Sequence, residues 1–170
     1  MAILTAREPD QPDPPTTARV DHLIRISWDI PYDGSSPITS YRITIRHNDG
    51  FTYSEESTNC NGQQDTDIII NHECFVLITD LSTAPYHMTW GDSIFAKVTA
   101  TNAIGDSVES GSGNGALLIT YPDAPIDLQN VPSVTNATQI GISWGEPPSA
   151  GGSVILDYTV SIGVHSGSYT

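Results

Sequence analysis

Histidine is the residue type in this sequence that could take part in the widest range of chemistry, because imidazole binds metals and transfers protons near neutral pH. Five are present, at His22, His47, His72, His87 and His165. None lies in a metal-binding spacing such as HExxH, and none accompanies a nucleophile motif such as GxSxG. We therefore interpret them as solvated or turn residues, and predict a protein that is not an enzyme and has no cofactor.

Carboxylates are the second group that could carry chemistry, since clustered Asp and Glu oxygens are the ligands that Ca²⁺ prefers. Glu55 and Glu56 are adjacent, and Asp65 lies two residues before Asp67. The sequence contains no DxDxDG loop, so we interpret these acids as solvated loop charges and predict no metal site. An Arg-Gly-Asp segment, which would indicate integrin-type recognition, is also missing from the sequence.

Two cysteines, Cys60 and Cys74, are separated by fourteen positions. His72 is close by, but two thiols without further ligands at suitable spacing make a poor zinc site. We predict a disulfide that closes a hairpin-like excursion and contributes about 3 kcal/mol in the chain-entropy model. The alternative, two reduced cysteines, stays open at this point. Disulfides persist in oxidising compartments, and the N-glycosylation candidate Asn136, in the sequon 136–138, favours the same compartment.

The charge balance excludes several classes of partner. Twenty acidic residues against six basic ones give a formal net charge of −14. Nucleic acid and anionic membrane surfaces both require clustered Lys and Arg, so neither is expected as a partner. Every apolar run is far shorter than the ~20 residues of a transmembrane helix, so no membrane insertion is expected in this segment. The first residues do not read as a signal peptide, which indicates a piece of a longer extracellular or cell-surface protein.

Alternation of apolar and polar residues with a period of two predicts antiparallel strands that bury one face. Gly and Pro are frequent, and Asn48-Asp49-Gly50 is a hairpin turn signal. Short strands divided by such turns predict an all-β, immunoglobulin-like antiparallel β-sandwich. The expected core includes Trp28, Tyr41 and Val98. The alternating apolar sets of the first repeat are Ile24, Ile26 and Trp28; Tyr41, Ile43 and Ile45; and Ile94, Ala96, Val98 and Ala100.

The sequence also repeats itself, which predicts tandem units. Ile26-Ser27-Trp28 recurs as Ile142-Ser143-Trp144, and residues 31–45 recur as 148–162. A Pro-Asp-x-Pro segment at 9–12 recurs at 122–125, each time after an apolar run.

We therefore divide the chain into three parts. Residues 1–7 are expected to be the trailing strand of a preceding repeat, 8–121 a complete repeat, and 122–170 the incomplete N-terminal part of a following repeat. Trp144 and Tyr158 are expected core residues of that last part. Its three strand-like runs should present one apolar face, formed by Ile140, Ile142, Trp144, Tyr158, Val160 and Ile162.

Several motifs together resemble the fibronectin type III fold. They are a Pro-rich start, Trp28 on the second strand, the run from Pro31 into Tyr41, and V-T-A-T-N-A-I-G at 98–105. More closely, the chain is similar to the tandem fibronectin type III repeats of very large protist, ciliate-like surface proteins. Those repeats similarly carry a Cys pair, W-G-D-S-I-F-A-K-V (here 90–98), G-N-G-A (113–116) and Y-P-D-A-P (121–125).

One position departs from that resemblance. Ile94 stands where the family usually has a tyrosine that closes the corner of the sandwich. We expect Tyr86 or Trp90 to pack over this corner instead.

The combined pattern predicts a non-catalytic structural repeat of an extracellular or cell-surface array that assembles end to end into a filament or coat. Its partners would be neighbouring repeats or copies of the same protein, joined by chain continuity or strand exchange, with glycans as further candidates. The Pro-rich junctions should be stiff, because proline fixes φ and restrains the preceding residue. The alternative is an adhesive or ligand-binding ectodomain module of a membrane-anchored surface protein, in which loops 60–74 or 83–92 carry recognition.

Overall fold

The computed structural model describes residues 5–163, and the chain divides into two compact units, residues 1–119 (unit 1) and 120–170 (unit 2). The trailing strand expected at the N-terminus falls largely outside the described residues. Thr5–Arg7, the part of it that is described, is not assigned to a strand.

Unit 1 is an all-β immunoglobulin-like sandwich of two antiparallel sheets, as the alternation predicted. A three-stranded sheet has the order β1-β2-β5, and a four-stranded sheet has the order β4-β3-β6-β7. The strands are β1 (Thr16–Val20), β2 (Leu23–Ser27), β3 (Ile38–Arg46), β4 (Tyr53–Glu55), β5 (Glu73–Leu77), β6 (Ser93–Asn102) and β7 (Gly113–Leu117).

The core of unit 1 lies between the two sheets, where the apolar set of each strand faces inward. In β2, β3 and β6 every second side chain is almost fully buried, which is the burial pattern of strands with one solvated face. The inward residues of these three strands are Ile24, Ile26, Tyr41, Ile43, Ile45, Ile94, Ala96, Val98 and Ala100. Their burial confirms the strand phase derived from the sequence.

The β3–β4 hairpin turns where the Asn-Asp-Gly segment predicted it. Gly50 adopts φ +85°, and the His47 N–H donates to the Thr52 carbonyl at 2.8 Å. The Asp49 carboxylate accepts hydrogen bonds from the Phe51 and Thr52 N–H groups at 3.0 and 2.9 Å. These bonds, with one from the Thr52 side chain, hold the pKa of Asp49 below its usual value.

The excursion between the cysteines corrects the sequence interpretation, because it is a short helix rather than a hairpin. Helix α1 (Thr66–Asn71) begins after Asp65, whose carboxylate accepts from the Asp67 N–H at 2.9 Å. It ends at His72, which adopts left-handed φ 55°. Ile68 is buried in the core and anchors the helix. A second helix, α2 (Ile78–Leu81), follows β5, and neither helix in the described part of the chain could span a membrane.

Within residues 120–163, unit 2 has two strands, β8 (Ile126–Asn130) and β9 (Ile142–Gly145), which pair antiparallel. The third strand-like run of the sequence, 154–162, is not a strand, and this expectation is wrong. Its equivalent in unit 1 is β3, which hydrogen-bonds to β4 on one side and β6 on the other.

Candidate interaction surface

The two cysteines form a disulfide, as predicted. Cys60 and Cys74 are joined with a Cα–Cα distance of 5.3 Å, and both side chains lie in the core of unit 1. Cys74 is also the residue of β5 opposite Ile26 in β2. The bridge therefore ties the segment before α1 to the centre of the three-stranded sheet.

The candidate catalytic and metal-binding side chains serve local structure in unit 1. His47 Nε2 lies 2.8 Å from the Ser54 hydroxyl, and Asp65 caps α1. Glu56 is only 5% exposed, and its Oε1 accepts from the Thr58 and Asn59 N–H groups. No group of three or more His, Cys, Asp or Glu side chains within residues 5–163 could hold a metal ion. His165 lies outside the described residues.

Tyr86, one of the two residues expected at the corner beside Ile94, lies in the core of unit 1. Its ring is buried, and its hydroxyl donates to Glu56 Oε2 at 2.7 Å. Burial, followed by this hydrogen bond to a carboxylate, raises the pKa of Tyr86 well above its usual value. Trp90, the other residue expected at this corner, is 41% exposed. The sequence signal for this pair was weak, because Glu56 reads as a loop acid.

Trp28 and Tyr41 form the aromatic centre of unit 1. Their ring centroids are 5.1 Å apart at an interplanar angle of 60°, and both side chains are buried. Val98 is fully buried and lies opposite Ile43, the neighbouring inward residue of β3. Burial raises the pKa of Tyr41. All three expected core residues of unit 1 therefore lie inside the sandwich.

The Pro-rich start of unit 1 docks against the loop between β2 and β3 through two backbone hydrogen bonds. The Arg7 N–H donates to the Gly34 carbonyl and the Asp10 N–H donates to the Tyr32 carbonyl, both at 2.9 Å. Gly34 adopts φ +70°, and a Cβ there would collide with the Arg7 carbonyl. Glycine is therefore required at this position by both conformation and space.

Unit 2 repeats this docking at the equivalent residues. The Thr120 N–H donates to the Gly151 carbonyl at 2.8 Å, and the Asp123 N–H donates to the Ser149 carbonyl at 2.9 Å. Gly151 adopts φ +69°, and a Cβ there would collide with the Thr120 carbonyl. Sequence reasoning missed this contact, although the matching glycines of the two copies were its signal.

Unit 2 also repeats the aromatic pair, but without burying it. Trp144 and Tyr158 have ring centroids 5.5 Å apart at 58°, close to the geometry of Trp28 and Tyr41. Trp144 is half-buried and Tyr158 is 38% exposed, so neither is enclosed as a core residue is.

The neighbouring inward positions of unit 2 form an exposed apolar groove of about 460 Å³. Ile140 is 67% exposed and Val160 is 49% exposed, whereas their equivalents Ile24 and Ile43 are fully buried. Among the residues that the structure describes, no charged side chain lines the groove. We call this surface the apolar groove; its apolar lining is Leu128, Ile140, Ile142, Trp144, Val160 and Ile162.

The candidate glycosylation site lies on the loop between β8 and β9. Asn136, Ala137 and Thr138 are all exposed. The Asn136 Oδ1 accepts hydrogen bonds from the Thr138 N–H and hydroxyl, both at 2.9 Å. The side chains of the sequon are therefore accessible and held together by a tight turn.

Comparison with known proteins concerns the fold. No family model matches the chain. Among solved structures, it is similar to domains A168–A170 of titin, with 18% identity, a TM-score of 0.48 and coverage of 66% of this chain and 33% of that one. It is also similar to the FN1–FN3 domains of chicken CNTN1, with 16% identity, a TM-score of 0.46 and coverage of 82% and 44%.

A third similar structure is the twitchin kinase region from C. elegans, with 20% identity, a TM-score of 0.45 and coverage of 65% and 16%. The chain thus spans less than half the length of each of these three structures. What unit 1 defines by its own two sheets is an all-β immunoglobulin-like sandwich.

Proposed function

We propose that this chain is a non-catalytic structural repeat of an extracellular or cell-surface array, which assembles end to end into a filament or coat. The observation that carries the proposal is the docking contact that both units repeat. The apolar groove of unit 2 is exposed in the described residues, and an exposed apolar surface of this kind marks a site of interaction with other polypeptide.

The repeated docking contact supports a tandem arrangement. Both units begin with the same pair of backbone hydrogen bonds onto a glycine-containing loop. Leu118 makes the last backbone hydrogen bonds of unit 1, with Gly91 and Asp92, and Thr120 makes the first of unit 2. In this proposal residues 8–121 are one repeat and 122–170 begin the next, as in the protist surface repeats that the sequence resembles. In the proposed array, consecutive repeats follow one another without a long flexible linker.

An extracellular location is supported by the disulfide, because such bonds persist in oxidising compartments. We extend the proposal to glycosylation of Asn136, which is exposed on a turn. In protein secreted from a eukaryotic host, mass spectrometry should find a glycan on Asn136 in the wild type and in Thr138→Ser, and none in Thr138→Ala. An unmodified Asn136 in the secreted wild type would exclude this part of the proposal.

Self-association of the full chain tests the main proposal. Sedimentation velocity over a range of concentrations should show larger species as concentration rises. Val160→Asp, which places a charge in the groove, should shift the distribution toward monomer. Val154→Asp is the matched control, because Val154 is 79% exposed in the same unit and does not line the groove. A chain that stays monomeric at all concentrations, or two variants that behave alike, would contradict the proposal.

One observation favours the second candidate function, an adhesive or ligand-binding ectodomain module. Trp90 is 41% exposed on the segment before β6, and exposed tryptophan is enriched at binding sites. If this function holds, Trp90→Ala should abolish adhesion of the parent protein to its target surface without changing self-association. Unchanged adhesion would exclude Trp90 from recognition.

A further inference from the structure

We infer that Asn102, the last residue of β6, locks the Pro-rich start of unit 1 onto the sandwich and so fixes the direction in which the chain enters the repeat. We call residues 7–15 the strap. The role of this lock rests on the proposed function, because repeats joined end to end form a stiff array only when each entry is fixed. The lock itself consists of hydrogen bonds from one buried side chain to three separate segments of unit 1.

The strap packs against the sandwich through its prolines. Pro9, Pro12 and Pro15 are buried, while the residues between them are exposed. A spacing of three is the period of a polyproline II helix, which places such residues on one side of the segment. Gly113, the first residue of β7, allows a close approach, since a Cβ there would collide with the Pro15 carbonyl.

The amide nitrogen of Asn102 holds the strap at its first residue. Its Nδ2 donates to the Arg7 carbonyl at 2.7 Å and to the Asp33 carbonyl at 2.8 Å, with a longer contact to the Ser36 carbonyl at 3.4 Å. Asp33 and Ser36 belong to the loop between β2 and β3, onto which the Arg7 N–H also docks. Asn102 is 4% exposed, so its side chain makes these bonds away from water.

The amide oxygen of Asn102 closes the turn that follows β6. Its Oδ1 accepts from the Ile104 N–H at 2.8 Å and from the Gly105 N–H at 3.2 Å. Because each partner of the amide nitrogen is a carbonyl and each partner of the amide oxygen is an N–H group, one orientation of the side chain satisfies all of these bonds. Asn102 therefore joins the strap, the loop between β2 and β3, and the turn after β6.

The exposed ion pair of the strap contributes less than this buried side chain. Arg7 Nη1 lies 2.6 Å from the Asp10 carboxylate, but both side chains are about half exposed. Ion pairs in contact with water contribute little to stability. Loss of the Asn102 amide, by contrast, leaves buried polar groups without partners. Removing this amide should therefore release the strap even though the ion pair is still available.

Trypsin cleavage of the folded full chain tests the lock, because the peptide bond after Arg7 contains the carbonyl that Asn102 holds. A protease cuts a segment only when that segment opens locally or with the whole fold. In Asn102→Ala, cleavage after Arg7 should be about tenfold faster than in the wild type. It should depend weakly on urea, since strap release exposes little surface, whereas cleavage after Arg25 in β2 should rise steeply with urea. Asn114→Ala is the matched control, because Asn114 is exposed on β7.

Asn102→Asp separates the two halves of the contact. At pH 7 a carboxylate still accepts from the Ile104 and Gly105 N–H groups, but it donates nothing and repels the Arg7 carbonyl. Amide hydrogen exchange should therefore show residues 104 and 105 protected in Asn102→Asp and unprotected in Asn102→Ala. Exchange at the Arg7 amide should be about tenfold faster than in the wild type in both variants.

The outcomes separate the lock from the proposed array. Rapid cleavage after Arg7 in the wild type, or slow cleavage in both Asn102 variants, would overturn the lock and leave the array proposal standing. Cleavage after Arg7 and Arg25 that rises in parallel, with the same urea dependence, would also overturn it, because Asn102 would then stabilise the sandwich as a whole. A confirmed lock in a chain that stays monomeric at all concentrations would keep the lock and contradict the array.

Discussion

Trp28 and Trp144 occupy equivalent places in the two units, and each packs against an equivalent tyrosine at nearly the same distance and angle. In unit 1 the pair is enclosed by two sheets, whereas in unit 2 it borders an open groove. The local arrangement of this pair is therefore encoded by the short segments that carry the two residues. Burial of the pair is not encoded locally, because it depends on strands from elsewhere in the repeat.

The docking of the Pro-rich segments supports the same conclusion. It connects residues fewer than 35 positions apart, and it forms in both units. The pairing of β3 with β6, by contrast, joins residues more than 50 positions apart. Short-range features thus form in either unit, while the closed core requires long-range contacts.

The largest expected difference between the units concerns the two tryptophans. Trp28→Ala should lower the free energy of unfolding of unit 1 by about 3–5 kcal/mol, because it removes a buried aromatic side chain. Trp144→Ala should lower that of unit 2 by roughly 1 kcal/mol or less, because the residue is half-buried. Urea unfolding followed by hydrogen exchange with mass spectrometry resolves the two units. Equal losses would show that the two pairs are buried alike.

The second prediction concerns the docking contact that the two units share. Gly34→Ala and Gly151→Ala each force an alanine into positive φ and against a carbonyl oxygen. Each should destabilise its own unit by about 2 kcal/mol. Gly50→Ala is a useful control, since Gly50 has positive φ but nothing near its Cβ position. It should cost about 1 kcal/mol. A neutral Gly151→Ala would mean that the start of unit 2 does not dock as that of unit 1 does.

Much of unit 1 could be predicted from the sequence, for a physical reason. Its strands bury one face, and Ile24, Ile43 and Val98 each lie in a run where apolar and polar residues alternate. Such a run predicts which side chains are buried. The apolar residues within 140–162 likewise predicted an apolar face in unit 2. Each of these predictions depends only on the order of side chains along one segment.

What could not be predicted depends on contacts between distant segments. The run at residues 68–70 is apolar and β-branched, yet it is helical because Asp65 caps it and the disulfide constrains its flank. Residues 154–162 have strand character but are not assigned to a strand. The Asp65 cap is a local signal, but the apolar pattern of the run by itself predicts neither outcome.

The Tyr86–Glu56 pair of unit 1 gives a smaller expected effect. Tyr86→Phe should cost about 1–2 kcal/mol, since it leaves a buried carboxylate oxygen without its donor. Tyr32→Phe removes an exposed hydroxyl that bonds to Ser35 and should be nearly neutral. Urea unfolding at pH 7 measures both. A loss below 0.5 kcal/mol for Tyr86→Phe, within the usual range of surface changes, would contradict a buried hydrogen bond between Tyr86 and Glu56.

The same pair predicts a pH dependence. The folded-state pKa of Tyr86 lies above the unfolded value near 10. Its contribution to stability is therefore fully present below about pH 10 and is lost as the pH rises above that value. The melting temperature of the wild type should fall more steeply above pH 10 than that of Tyr86→Phe. Parallel curves would show that Tyr86 titrates normally.

The central claim is that equivalent faces of the two units differ in burial, because the closed core of unit 1 depends on long-range strand pairing. Residue-resolved amide hydrogen exchange of the full chain tests it most directly. At low concentration, residues 24–28 and 41–45 should be strongly protected, while 140–144 and 157–162 exchange quickly. Protection of the latter segments should appear on raising the concentration, as the self-association proposal requires. Strong protection of residues 157–162 in the dilute monomer, or none under any condition, would contradict the account.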